Sequence, residues 1–231
     1  MNTKKIISAL FGVIFTINAF AQQDPMYSQY WLNAGILNPA QVGADGLTTL
    51  NVTGRYQWVN LEGAPKTNSI SFGGMPVDNL GIGGSYVYDE IGPVRTNTLN
   101  ADVAYHLRVS KKWTATLGTR ISAMNTQLLL GNLSTTKPGD PAFSQNLNSG
   151  IKPNVGFGIL IHNDRFYFGF AQPRAIEYDL STSAFMNTKI VTHNFIYTGY
   201  NFTVNDDVEL RPSILLKEVN YAPLHFLFSR F

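Results

Sequence analysis

The stretch LNADVAYHLRV at residues 99–109 decides the fold. Its apolar residues alternate one by one with mostly polar residues, and they are Leu99, Ala101, Val103, Tyr105, Leu107 and Val109. This period of two indicates a β-strand with one apolar and one polar face. Residues 113–123, WTATLGTRISA, repeat the pattern, so the two stretches predict a hairpin that turns at residues 110–112.

The same alternation recurs from about residue 47 to the C-terminus and predicts ten strands. Their ranges are about 47–59, 67–75, 80–89, 97–109, 113–125, 154–162, 165–171, 191–204, 208–217 and 223–231. The connections at 76–79, 110–112, 163–164 and 205–207 are short, whereas those at 60–66, 90–96, 126–153, 172–190 and 218–222 are mostly longer. Short turns at one end and longer loops at the other are typical of transmembrane β-barrels.

Charged residues separate onto one face of the first nine predicted strands. They lie opposite the apolar face, at Arg55, Asp89, Asp102, Arg108, Arg120, Arg165, Glu209, Arg211 and Lys217. A basic residue on the lipid side at mid-bilayer costs about 2–4 kcal/mol, so the segregation favours lipid outside and a polar lumen inside. A soluble barrel with its apolar face inward would segregate in the same way, but it would need more charge on its wet face.

Several aromatic residues lie near strand ends on the apolar face, as in the interfacial girdles of outer-membrane barrels. They are Trp58, Tyr86, Tyr88, Trp113, Phe166, Phe170, Tyr200 and Phe202. The general preference of aromatic residues for β-sheets would also place them there, so they corroborate the membrane interpretation without deciding it.

The overall composition also favours a membrane barrel. Charged residues make up 14% of the chain, against about 25% in soluble domains, which indicates that something other than water covers part of the surface. After residue 21 no apolar run approaches 18 residues, so helices are not expected to span a membrane. A closed barrel is the remaining spanning fold.

The N-terminus has the pattern of a secretory signal peptide. Lys4 and Lys5 precede an apolar run that ends in Ala19-Phe20-Ala21, and we predict cleavage after Ala21, which makes residues 1–21 the signal. An uncleaved anchor is the alternative. Residues 22–46 show no regular period and predict a non-barrel segment, placed either in the periplasm or in the lumen. Residues 47–231 form the predicted barrel domain.

Charge and cysteine content exclude several function classes. Cleavage removes Lys4 and Lys5 and no acid, so 17 basic and 15 acidic residues become 15 of each. A chain without a basic excess lacks the electrostatic attraction that nucleic-acid binding needs. The chain has no cysteine, which excludes disulfides, thiolate metal sites, a cysteine nucleophile and a lipid-modified N-terminal cysteine. We expect no cofactor.

A short, specific motif follows the predicted cleavage site. It reads Gln23-Asp24-Pro25-Met26-Tyr27-Ser28-Gln29-Tyr30, then Leu37-Asn38-Pro39-Ala40 and Gly43. In this motif the chain resembles the PorP/SprF family of membrane proteins. Further matches cover nearly all of the mature chain: Arg55-Tyr56-Gln57-Trp58, Gly63-Ala64-Pro65 with Thr67, Gly81-Ile82-Gly83, Asp89-Glu90-Ile91-Gly92-Pro93, Ala104-Tyr105-His106-Leu107, Gly169, Gly199-Tyr200 and Arg211-Pro212-Ser213 leading to Lys217.

The resemblance implies a β-barrel of the type IX secretion system in the outer membrane of Bacteroidetes, which are Gram-negative bacteria. The partners that it implies are periplasmic secretion-ring proteins and secreted surface adhesins of gliding motility, besides the lipid bilayer. It marks as candidate site residues Asp24, Pro25, Tyr30, Asn38, Pro39, Ala40, Gly43, Gln57, Trp58, Gly63, Pro65, Asp89, Gly92, Pro212 and Ser213.

Members of this family usually continue for several strands beyond the segment that resembles residues 212–224. We therefore expect a C-terminally shortened copy or fragment, or a smaller barrel in which Phe231 serves as an assembly signal. A missing closing strand would leave an open sheet edge in lipid, which is not tolerable.

The sequence offers little catalytic chemistry. His106, His162, His193 and His225 do not stand at metal-ligand spacing with a nearby acid, which favours structural or lumen roles. Gly81, Gly83 and Gly84 do not complete the glycine pattern of a phosphate-binding loop, whose third glycine is missing, and no helix follows them. They are therefore expected to pack within a strand. Asp89 and His106 could in principle meet as an acid–base pair, but structural hydrogen bonding is preferred.

Three functional hypotheses follow from these patterns. The favoured one is a non-enzymatic assembly or secretion component of the type IX machinery. The second is a passive pore or small-ligand transporter, motivated by the polar inner face. The third is an outer-membrane enzyme, which would lose its activity when Asp89 or His106 is mutated.

Overall fold

A computed structural model of the chain describes residues 33–132, 146–179, 189–205, 208–219 and 225–229. The predicted signal peptide and the motif residues Asp24, Pro25 and Tyr30 lie outside these ranges. A short helix, α1 (Ala34–Leu37), and a 3-10 helix (Pro39–Gln41) precede the strands. No helix in the described ranges is long and apolar enough to cross a membrane.

The strands of the described residues are β1 (Thr49–Tyr56), β2 (Lys66–Val77), β3 (Leu80–Ile91), β4 (Val94–Arg108), β5 (Thr114–Leu128), β6 (Leu147–His162), β7 (Phe166–Gln172), β8 (Tyr178–Asp179), β9 (Lys189–Ile190), β10 (His193–Tyr200), β11 (Phe202–Asn205), β12 (Val208–Leu210), β13 (Ser213–Val219) and β14 (His225–Ser229). A further 3-10 turn, Leu130–Asn132, follows β5.

Ten of these strands form one antiparallel sheet in the order β1-β2-β3-β4-β5-β6-β7-β10-β13-β14. The ribbons β8–β9 and β11–β12 stand apart from it. The sheet is curled, because residues 33–46 touch the inner faces of strands from β2 through β10. The predicted all-β, antiparallel fold of an outer-membrane barrel is therefore confirmed.

The burial of β4 and β5 is the reverse of that in a soluble sheet. Asp102 and Arg120 are each 3% exposed, whereas Leu99 and Ile121 are 60% and 69% exposed. A soluble domain buries its apolar face, so this orientation excludes the soluble alternative and fits contact with lipid. Glu218, at the end of β13, is an acid on the outward side.

Two predicted loops are shorter than the sequence pattern indicated. β3 and β4 continue to Ile91 and Val94, so the expected longer connection at 90–96 is wrong and only Gly92 and Pro93 remain between them. Gly92 has φ +55°, which glycine adopts without strain in a two-residue turn. β5 and β6 likewise extend into the expected loop 126–153, where their polar ends carry no hydrophobic alternation.

Two predicted strands are each divided in two. Residues 191–204 form β10 and β11 with a break at Asn201, and residues 208–217 lie in β12 and β13 with a break at Arg211 and Pro212. Proline has no N–H to donate to a ladder. Its carbonyl still accepts a hydrogen bond from Tyr200 N at 3.2 Å, which holds the hairpin together below the ribbon.

Aromatic residues mark both ends of the outward face. Tyr86 OH donates to Asn97 Oδ1 at 2.6 Å at one end, and Trp113 packs edge-on against Phe166 with ring centroids 5.9 Å apart at the other. The apolar run between them, residues 99–109, corresponds to about 33 Å of strand and, at a tilt of about 40°, to about 25 Å along the membrane normal. That height matches the apolar band of transmembrane barrels.

Candidate functional site in the barrel lumen

Residues 33–46, called the lumen segment from here on, lie against the inner face of the curled sheet. Asn38 caps the 3-10 helix, since its Oδ1 accepts a hydrogen bond from Ala40 N at 2.8 Å, and Pro39 follows at the first helical position. A capping amide and a proline with fixed φ both favour the start of a helix. These local preferences form the compact turn that enters the lumen.

The Asn38 side chain ties the lumen segment to three strands. It is completely buried, and the two hydrogens of its Nδ2 are shared among three acceptors, Tyr197 OH at 2.8 Å, Ile159 O at 3.1 Å and Phe170 O at 3.4 Å. Gln41 Nε2 also donates to Tyr197 OH, at 2.9 Å. The Tyr197 hydroxyl is therefore the point where β10 binds the lumen segment.

Arg120, on β5, holds the helix α1. Its Nη1 donates to Ile36 O and its Nη2 to Gly35 O, both at 2.6 Å. Carbonyls at the end of a short helix have no partner within the helix, so an arginine is well suited to satisfy them. The Asp102 carboxylate pairs with the same guanidinium at 2.6 Å and balances its charge.

His106 binds the last part of the lumen segment. Its Nε2 lies 2.9 Å from Val42 O, and its Nδ1 lies 2.9 Å from Thr116 Oγ1. A carbonyl only accepts, so Nε2 carries the proton and Nδ1 accepts from the threonine hydroxyl. Asp89 pairs with Thr96, about 33 Å along the strand from His106, so these two residues do not form an acid–base pair.

Glycines on the inner face leave room for the lumen segment. A Cβ added to Gly118 would overlap the Ala40 backbone, and one added to Gly158 would overlap the Asn38 side chain. A Cβ on Gly81 would overlap Val42 O. These positions need glycine because two backbones approach each other closely.

A second chain segment, residues 173–176, folds over the inner face of β6. Asn154 holds it with three hydrogen bonds: its Oδ1 accepts from Ala175 N and Ile176 N, both at 3.0 Å, and its Nδ2 donates to Ile176 O at 2.7 Å. A Cβ on Gly156 would overlap Pro173 O. Both segments therefore lie on the inner face of the sheet, the first against β4 to β6 and the second against β6.

A polar cavity of about 190 Å³ remains between the lumen segment and strands β1 to β4. Asn33, Asn51, Ser71, Ser85 and Asp102 are among the residues that line it. Asp102 already pairs with Arg120. Among the described residues, no three His, Asp or Glu side chains lie together as a metal site requires.

The connection between β1 and β2 forms a compact loop at the rim of the sheet. Gln57 N donates to Pro65 O at 3.0 Å, and Gly92 N, from the β3–β4 turn, donates to Gly63 O at 2.8 Å. Trp58 has φ +48°, which is uncommon for a non-glycine residue. Two neighbouring connections are therefore joined into one rim structure.

The comparison with protein families agrees with this architecture. The family model described as "Type IX secretion system membrane protein PorP/SprF" matches residues 19–229. The chain belongs to the PorP/SprF family. No curated protein matches the sequence. The resemblance expected from the motifs is thus confirmed, and the chain is a membrane component of the type IX secretion system.

The motif residues of this PorP/SprF protein lie in separate places. Four belong to the lumen segment, Asn38, Pro39, Ala40 and Gly43, and six belong to the rim, Gln57, Trp58, Gly63, Pro65, Asp89 and Gly92. Asp89 accepts a hydrogen bond from Thr67 beside the rim. Pro212 precedes β13, and Ser213 pairs with Gly199 on its neighbour. The motif therefore marks two structural junctions and one strand start, which do not form a single pocket.

Three residues that hold the lumen segment were not singled out from the sequence as site residues: Asp102, Arg120 and Tyr197. A signal existed for two of them. With the hairpin turn predicted at residues 110–112, Asp102 and Arg120 stand directly opposite each other on the polar face, as the structure has them. Tyr197 gave no such signal, because its partners lie more than 150 residues away in sequence.

Proposed function

We propose that this PorP/SprF protein works in the outer membrane of a Gram-negative bacterium as a non-conducting, non-enzymatic component of the type IX secretion and gliding machinery. Its role is assembly of the machinery, or secretion and anchoring of surface proteins. Its partners are periplasmic ring proteins and secreted adhesins.

The observation that carries the proposal is the occupied lumen. Tyr197, Arg120 and His106 bind the lumen segment from different strands, and the glycines beneath it approach it too closely to admit even a methyl group. A barrel whose interior is filled in this way cannot pass a polypeptide without first releasing the segment. Surfaces outside the lumen are then the places where partners bind.

The short turns that follow β2, β4 and β6 are the favoured contact with ring proteins. They lie at the end of the sheet where β1 begins, and in transmembrane barrels short turns face the periplasm. Lys111 is exposed in one of these turns, whereas Glu62 is exposed in the rim loop at the opposite end. The two positions form a matched pair for mapping the partner side.

The test places a photo-crosslinking amino acid at Lys111 or at Glu62 in cells that carry the full secretion system. We expect ring proteins to crosslink from position 111 and not from position 62. Failure to recover ring proteins from position 111, and likewise from Asp78 and Asp164 in the other short turns, would contradict the proposal.

A passive pore remains the second candidate because the polar cavity beside the lumen segment could admit water and small solutes. Planar-bilayer recording separates the two functions. A steady open channel from the purified protein would favour the pore, and silence favours the assembly component.

The proposal of a non-enzymatic role has its own support. The acid–base pair that the sequence suggested, Asp89 and His106, is separated along the strand. Both ring nitrogens of His106 are hydrogen-bonded, one to Val42 O and the other to Thr116 Oγ1. A substitution at Asp89 that removed a measurable activity without changing the folded amount would argue for catalysis.

A further inference from the structure

The lumen segment bonds to strands that lie far apart in the sheet. Ser71 of β2 donates to Asn33 at 2.9 Å. Asn38 and Gln41 donate to Tyr197 of β10, at 2.8 and 2.9 Å. Further hydrogen bonds join the segment to β4, β5, β6 and β7. The segment therefore bonds to six of the ten strands of the sheet.

The segment is too short to reach both β2 and β10 on a flat sheet. These strands are six positions apart in the sheet order, which corresponds to about 29 Å when neighbouring strands lie about 4.8 Å apart. The backbone from Asn33 to Asn38 contains α1 and, at about 1.5 Å per helical residue, spans only about 10 Å. Side chains stand roughly perpendicular to a sheet, so they add little to this lateral reach. Both contacts form together only because the sheet is curled.

Apolar packing strengthens the contact at the β10 side. Leu37 and Ala40 belong to a buried cluster that also contains Phe195 of β10 and Leu215 of β13. A Cβ added to Gly158 would overlap the Asn38 side chain, so β6 lies directly against the same part of the segment. The segment is thus fixed at this side by packing as well as by hydrogen bonds.

Closure of the strand ladder does not explain the curl of the described sheet. In a closed barrel the number of strands and their stagger determine the diameter. Among the strands that the structure describes, β1 and β14 end the sheet and do not pair with each other. Strand twist gives an open sheet a propeller shape. The curl therefore needs a further contact across the sheet, and the lumen segment supplies it.

We propose that the lumen segment is a tie that sets the curvature of the sheet and with it the width of the lumen. It holds β2 and β10 at the separation that α1 and the 3-10 helix can bridge. Release of its β10 end lets the sheet open. This role does not depend on which partners bind to the outer surfaces.

The test measures the distance between spin labels at Val52→Cys and Ile214→Cys in the full chain in liposomes, by pulsed electron paramagnetic resonance. Both side chains are on the outward face, 74% and 43% exposed, and the sequence contains no cysteine that would take up label elsewhere. Val52 lies on β1 and Ile214 on β13, eight positions apart in the sheet order, or about 38 Å on a flat sheet. We expect a shorter and narrowly distributed distance in the labelled chain with its lumen segment intact.

Asn38→Ala combined with Gln41→Ala removes both side chains that bind Tyr197. We expect the distance between the labels to lengthen and its distribution to broaden. Asn154→Ala is the matched control, because Asn154 is also buried in the lumen but anchors residues 175 and 176 to β6 alone. It should leave the distance unchanged. An unchanged distance in the double variant, or an equal lengthening in Asn154→Ala, overturns the proposal.

A milder pair of variants covers the case in which the double variant does not fold. Tyr197→Phe removes only the hydroxyl that Asn38 and Gln41 bind, and Tyr86→Phe removes a hydroxyl on the outward face. We expect the distance distribution to broaden in Tyr197→Phe and to stay as it is in Tyr86→Phe. Identical distributions in these two variants would mean that the strands set the curvature without the tie.

Discussion

Arg120 and Asp102 face each other across the β4–β5 hairpin and join through two hydrogen bonds, Nε to Oδ1 at 2.6 Å and Nη2 to Oδ2 at 2.7 Å. A buried ion pair stabilises a protein only when further hydrogen bonds satisfy its remaining groups. Here Gly35 O and Ile36 O supply them. The pair is thus both a part of the sheet and the attachment of the lumen segment.

Asp102→Asn should destabilise the folded protein by about 3–5 kcal/mol, because it leaves the Arg120 charge buried without its counter-charge. The midpoint of urea unfolding in detergent measures the loss. The control is Glu90→Gln, which breaks the Glu90–Arg95 pair at the surface, where the arginine is 44% exposed. That change should cost less than about 1 kcal/mol. Equal effects of the two substitutions would contradict the role of the buried pair.

Gly158→Ala should lower stability by about 1–3 kcal/mol, since its methyl group would occupy the position of the Asn38 side chain. Gly35→Ala is the control within the lumen segment itself. No atom lies within 4 Å of a Cβ added there, and alanine favours the helix α1. If thermal unfolding shows Gly158→Ala to be as stable as Gly35→Ala, Asn38 does not hold its place against β6.

Tyr197→Phe removes the hydroxyl that accepts from both Asn38 and Gln41, and leaves the buried Asn38 amide and the half-buried Gln41 amide without that acceptor. We expect a loss of about 1–3 kcal/mol in the free energy of unfolding. Tyr86→Phe removes an equivalent hydroxyl on the outward face, where Tyr86 bonds Asn97. This second change should stay within about 0.5 kcal/mol. A reversed order of the two variants would contradict the lumen contact.

Ile121→Lys tests which medium the outward face touches. Ile121 is 69% exposed at the middle of β5, so in water a lysine there would be nearly neutral. In lipid it should cost about 2–4 kcal/mol. Leu47→Lys, before the start of β1, is the control and should be tolerated in either medium. The measurement is folding yield in liposomes, and equal yields for both variants would place β5 in water.

The residues that were predictable from sequence are those whose environment repeats locally. The alternation from Leu99 to Val109 predicted the strand, its apolar face and its hairpin partner. A period of two can be recognised from neighbouring residues alone. The strand ends at Thr126 and Asn148 were missed, since the Asn, Thr and Gln residues there show no apolar alternation and the pairing shifts between Asn125 and Gln127.

The position of the lumen segment could not be derived from the same patterns. Asn38 bonds to Ile159, Phe170 and Tyr197, which are 121 to 159 residues away in sequence. Two of those acceptors are backbone carbonyls, which carry no residue-specific signal. In the sequence, the glycines that contact the segment cannot be distinguished from other strand glycines. Only the folded structure shows that the lumen segment lies against them.

The lumen segment should remain in place while the protein works. Ser71 Oγ donates to Asn33 Oδ1 at 2.9 Å, so these two side chains are in contact, and the sequence contains no cysteine that would compete with a pair introduced at these positions. We expect the oxidised variant Asn33→Cys with Ser71→Cys to stay silent in planar bilayers and to support secretion of surface proteins as well as the wild type. The single variant Asn33→Cys controls for the substitution itself. Secretion that fails with the disulfide and returns on reduction would instead mean that the segment leaves the lumen during each cycle.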